Sequence, residues 1–151
     1  MNSGPSPSAI EVLLVEENPG DVRLTREALK DDRVCSSLNV VSDGVEAMAF
    51  LRRQGPYAGA PRPDVILLAL NLPRKNGREV LEEVRADPAL RTIPVVVVTG
   101  SPDEGEAGRL YAPGADCYVS KPVALDQFVI LLKTLDGFWL SIVRIPAGDL
   151  A

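Results

Sequence analysis

Short apolar runs rich in β-branched residues and leucine recur along the chain: Ile10 to Val15, Leu38 to Val41, Val65 to Leu70 and Ile93 to Thr99, with a weaker fifth at Asp116 to Val119. Three of them are apolar at nearly every position, the pattern of strands covered on both faces. Each is followed by a segment with helical start signals, and parallel strands need crossovers of that kind. The alternation predicts an α/β fold, a doubly wound parallel sheet with helices on both faces.

The helix starts are marked by capping residues. Asn18 precedes Pro19 with Asp21 three residues on, Asp43 has Glu46 three on, Asn76 has Glu79 three on, and Ser101 precedes Pro102 with Glu104 three on. Apolar residues then recur at helical spacing, Val45, Met48 and Ala49 in one segment and Val80, Leu81 and Val84 in another, and each set is predicted to face inward. Pro56, Pro61, Pro63 and Pro88 are expected between elements. The segment after Ser101 is the weakest helix, because Gly105 and Gly108 each cost about 1 kcal/mol relative to alanine and Pro113 ends it early.

At 151 residues the chain fits one domain able to bury a core without disulfides or metal. Residues 1–9 lack a basic start and an apolar stretch, so they read as a disordered leader rather than a secretory signal. Residues 10–135 form the folded unit, and residues 136–151 form a C-terminal extension. There Phe138, Trp139 and Leu140 prolong the apolar pattern beyond what one helix face needs, which points to a homodimer interface.

Several chemistries are closed to this chain. It has no histidine, so histidine bases, histidine metal ligands and Ser-His-Asp or Cys-His catalysis are excluded. The net charge of −5 offers no basic footprint for nucleic acid. No apolar run is long enough to span a membrane. Cys35 and Cys117 have no metal-ligand or C-x-x-C spacing, which suits a reduced pair in a cytoplasmic protein.

In a doubly wound sheet, ligands bind beyond the carboxyl ends of the strands. The first strand ends in Glu16 and Glu17, the third in Ala69, Leu70 and Asn71, the fourth in Thr99, and the fifth leads into Lys121 and Pro122. Paired carboxylates suit a hard cation such as Mg²⁺, and a hydroxyl with an ammonium suits phosphoryl oxygens. Taken singly, each has a plainer reading: a solvated acidic strand end, a β-branched strand terminus, a surface lysine, an alanine filling core.

Together the segments LLVEENPGD, DVILLALNLPRKNG, VVVVTGS and YVSKP, in this order, resemble the signatures of response-regulator receiver domains. The resemblance covers residues 10 to about 135 and narrows, through DVRLTREAL, DGVEAMAFLRRQGPY and DGFWLSIV, to the short single-domain regulators paired with cyanobacterial and bacterial phytochrome kinases. It implies a flavodoxin-like sheet of five strands in the order 2-1-3-4-5. It also implies that Glu16 and Glu17 form an acidic corner, that the Asn71 carbonyl is a metal ligand, that Thr99 and Lys121 contact phosphate, and that Tyr118 is an aromatic switch.

This chain departs from the family pattern twice. Ala69 stands where the family carries its phosphate-accepting aspartate, and a methyl group neither attacks phosphorus nor binds a metal. Glu17 is one methylene longer than the usual aspartate, which weakens the Mg²⁺ site the resemblance implies. An engineered substitution and a natural pseudo-receiver both explain Ala69; retention of Thr99, Lys121 and Tyr118 favours the first, and Glu17 favours the second.

The expected function is a non-enzymatic, cytoplasmic module of two-component signalling, partnered by a sensor histidine kinase of the phytochrome class and not phosphorylatable at position 69. The alternatives are a phosphorylation-independent dimeric adaptor and a small metal-dependent phosphatase. The second lacks a nucleophile beside a base.

Overall fold

The computed structural model describes residues 10–28, 36–99, 114–115 and 117–120. The expected helix after Ser101, Lys121, and the segment containing Phe138, Trp139 and Leu140 lie outside the described residues. The elements are β1 (Ile10–Val15), α1 (Pro19–Ala28), β2 (Ser36–Val41), α2 (Gly44–Leu51), a single 3₁₀ turn (Gly55–Tyr57), β3 (Val65–Ala69), α3 (Gly77–Ala86), β4 (Val95–Thr99) and β5 (Cys117–Ser120).

The five strands form one sheet in the order β2-β1-β3-β4-β5, with every neighbouring pair parallel. Val12 to Val15 lie between β2 and β3, and the chain reverses its direction of travel across the sheet at the β1/β3 junction. Leu13, Val15, Ile66 and Leu68 pack with Met48, Phe50, Val80, Leu81 and Val84 in one buried cluster. The alternate residues Val12, Leu14, Val65 and Leu67 are also buried, so the sheet is covered on both faces, as the uninterrupted apolar runs require.

Strand limits differ from the sequence expectation by one or two residues, for identifiable reasons. β2 takes in Ser36 and Ser37, polar residues that the apolar run did not include but that an edge strand tolerates. β4 starts at Val95 rather than Ile93, because Pro94 has no N–H for the ladder; its carbonyl accepts from the Ile66 N–H at 2.9 Å instead. β3 stops at Ala69, and β5 runs one residue later than expected.

The helix caps match the reading from sequence. Asn18 Oδ1 accepts from the N–H groups of Gly20 (2.8 Å) and Asp21 (3.1 Å). Asp43 Oδ1 accepts from the Glu46 N–H at 2.8 Å, and Asn76 and Glu79 form a complete capping box. Two expectations are corrected. Val45 is exposed, because the inward stripe of α2 runs through Gly44, Ala47, Met48 and Leu51, at i, i+3, i+4 and i+7, and leaves Val45 off it. Pro56 lies inside the 3₁₀ turn rather than between elements, in the first turn, where a missing N–H is harmless.

Candidate functional site

At the end of β1 the chain turns on its own polar groups. The Glu16 N–H donates to the Val41 carbonyl at 3.0 Å, and its buried carboxylate accepts from the Asn18 N–H at 3.0 Å. Glu17, the next residue, is exposed. Of the two acids expected to act as a pair, one is therefore tied into the β1–α1 turn and the other faces solvent.

On the neighbouring strand Ala69 is the last residue of β3 and is buried. Val15 pairs with Leu68 and Val98 pairs with Ala69, so Glu16, Ala69 and Thr99 end three adjacent strands within one residue of each other in register. Thr99 pairs with Ser120, and Tyr118 lies one strand further out, opposite Val97. Asn71 is exposed in the loop after β3, and Lys121 follows β5 outside the described residues.

The loop joining β3 to α3 is fitted closely to this corner. The Gly77 N–H donates to the Leu70 carbonyl at 2.9 Å. A side chain on Gly77 would run into the backbone of Ala69 and Leu70, and one on Gly44 would run into the backbone of Lys75. Both helix starts thus approach the loop more closely than any Cβ permits.

Sequence reasoning identified the caps but missed the polar network around them. Asp43, buried at the start of α2, caps that helix with Oδ1 and accepts from Arg74 with Oδ2, at 2.6 Å from Nη2 and 3.1 Å from Nε. Burial alone would raise the Asp43 carboxyl, but the Glu46 N–H and the Arg74 guanidinium outweigh it and hold the group below its ordinary value. Glu46 accepts from the Tyr57 hydroxyl at 2.7 Å, and that bond, aided by burial, raises the Tyr57 phenol. Lys75 and Arg52 both pair with Glu83, and Arg52 also approaches Asp87 at 3.6 Å. Against the pull of burial, these cations lower the Glu83 carboxyl.

Chemically, the described part of the strand-end corner offers few groups to a hard cation. Among the described residues, no three His, Cys, Asp or Glu side chains converge. Ala69, at the end of β3, brings a methyl group and no oxygen to this corner. Among the described residues, the side chains at this corner do not make up the oxygen set of a resident Mg²⁺.

The chain matches the response regulator receiver domain model over residues 12–133. It belongs to that family. This receiver is 43% identical over 137 residues to the response regulator Rcp1 of Synechocystis sp., covering 91% of this chain and 93% of that protein. The structure of the phosphorylated cyanobacterial phytochrome response regulator RcpA superposes with a TM-score of 0.71 at 45% identity, covering 93% of this receiver and all of that chain. The Mn²⁺-bound form of Rcp1 superposes with a TM-score of 0.68 at 43% identity, covering 91% and 99% of the two chains. Among the described residues, no helix of the receiver is long and apolar enough to cross a membrane.

Proposed function

We propose that this receiver is a cytoplasmic signalling module that docks on a sensor histidine kinase of the phytochrome class and accepts no phosphoryl group at position 69. The observation carrying this reading is the placement of Ala69, buried at the end of β3 beside Glu16, at the junction where a doubly wound sheet binds its ligand. The similarity to RcpA and Rcp1 supports the choice of partner class. A methyl group cannot form an acyl phosphate, so the module acts by binding and is not an enzyme.

In this reading Glu16, Glu17 and the Asn71 carbonyl are what is left of the acidic corner, Thr99 and Lys121 are the phosphate contacts, and Tyr118 is the switch aromatic. The folded receiver spans residues 10–135. Residues 136–151 contribute Phe138, Trp139 and Leu140 to a homodimer, and nucleic acid and membranes are not partners. Mg²⁺ binding to the chain as it stands is weak, because one acidic ligand is missing and Glu16 is engaged in its own turn.

The test restores the carboxylate with Ala69→Asp and supplies Mg²⁺ and a small acyl-phosphate donor. The expected result is a mass gain of one phosphoryl group on the variant and none on the chain with Ala69. If the variant stays unmodified while an intact receiver takes up phosphate in parallel, the phosphate-pocket reading fails. The phosphorylation-independent adaptor then replaces it.

A further inference from the structure

Arg74 is the third residue after Asn71 and has φ +66, a left-handed conformation unfavourable for a residue with a side chain. Conformations of this kind persist where surrounding contacts over-determine them, and Arg74 is surrounded by such contacts. The guanidinium places both Nε and Nη2 on one oxygen of the buried Asp43, while the other oxygen holds the first turn of α2. The Lys75 N–H, next in the chain, donates to the Pro73 carbonyl at 2.7 Å, and the Lys75 side chain pairs with Glu83 on α3. Gly44 of α2 lies against the Lys75 backbone, and Gly77 of α3 lies against Ala69 and Leu70.

We propose that Arg74 is a positioning residue: its clasp on Asp43 anchors the β3–α3 loop to α2 and thereby fixes the strand-end corner of Ala69, Leu70 and Asn71. The inference rests on the reading of that corner as the receiver's cation and phosphate site. It adds a control element at Asp43, 31 residues from Arg74 in sequence, that touches no proposed ligand. The left-handed turn at Arg74 sends the chain from the open end of the sheet back into α3, and the ion pair is the contact that holds that turn against the α2 cap. Loss of the guanidinium releases the loop while β3, closed on both faces, stays in place.

The experiment uses the full chain and two substitutions. Arg74→Gly removes the guanidinium while accepting φ +66, and Arg74→Lys keeps the charge but loses the planar fork. Amide hydrogen exchange is read at Gly77, bonded to Leu70, with Ile66, bonded to Pro94, as the internal reference in β3. Both substitutions are then combined with Ala69→Asp, and Mn²⁺ affinity is measured from the free-ion paramagnetic signal.

Arg74→Gly is expected to speed exchange at Gly77 by about tenfold while leaving Ile66 nearly unchanged. It is expected to weaken Mn²⁺ binding to the Ala69→Asp chain by about tenfold, with Arg74→Lys intermediate. Equal acceleration at Gly77 and Ile66 means the pair is merely stabilising and overturns the proposal, as does an unchanged Gly77. If the Ala69→Asp chain binds no Mn²⁺, the reading of the site fails on its own, and the Gly77-to-Ile66 ratio still decides the positioning role.

Discussion

Every residue of β3 from Val65 to Ala69 is buried, whereas none of residues 70–76 in the loop that follows is. The strand is held by apolar contact on both faces, which is non-directional and shared among many neighbours. The loop lays the half-buried Leu70 and Leu72 against the core and is otherwise held by single directional contacts: Gly77 on Leu70, Arg74 on Asp43, Lys75 on Glu83. The contrast teaches that the sheet tolerates much conservative change, while the corner it presents depends on a few individual atoms.

The largest test of the contrast lies in the strand. Leu67→Ala is expected to cost about 2–5 kcal/mol in denaturant unfolding, because a fully buried side chain leaves a cavity. A cost below about 1 kcal/mol would break the claim that β3 is sealed on both sides. Next is Gly77→Ala, expected to cost about 2–3 kcal/mol as the backbone of Ala69 and Leu70 is forced to shift. Gly59→Ala, where nothing lies within 4 Å of the added carbon, serves as its control and should be neutral or slightly stabilising.

Asp43→Ala removes a helix cap and the partner of Arg74 together, and about 1–2 kcal/mol should be lost on the cap alone. Asp43→Asn, which keeps a capping oxygen, should lose less; equal losses would mean that the cap contributes nothing.

The pH profile sharpens the same point. Asp43 and Glu83 have carboxyls lowered in the fold, so their stabilisation is complete above the ordinary carboxylate range and is lost as pH falls below about 4. Tyr57 is raised, so its contribution is complete below about pH 10 and is lost as pH climbs through the raised value. Urea unfolding of Asp43→Asn should show a flatter acid limb than the parent, and an unchanged limb would remove Asp43 from the account. The smallest effect belongs to Arg52→Ala, at most about 1 kcal/mol, because its pairs with Glu83 and Asp87 are solvent-screened.

The same division explains what could be read from the sequence. β1 was legible to the residue, and the caps at Asn18, Asp43 and Asn76 were legible because their partners lie two or three residues away. Strand ends were less so, since Pro94 and Ser36 obey hydrogen-bonding rules that an apolar pattern does not carry. Val45 misled because a short helix leaves its phase uncertain by one position. The approach of Glu16, Ala69 and Thr99 followed from strand order, whereas the turning-in of the Glu16 carboxylate did not. The Asp43–Arg74 and Glu46–Tyr57 pairs had no local signal at all; a capping aspartate always has a second oxygen, but nothing in its neighbourhood says which cation will arrive.

Because Val12 pairs with both Leu38 and Val65, β1 is an interior strand and has no complete setting until β3 has emerged. Until then its apolar side chains face solvent or a chaperone, and no fragment ending before Val65 can close its core. Assembly of this receiver therefore waits on β3, with β4 and β5 added afterwards along a single open flank.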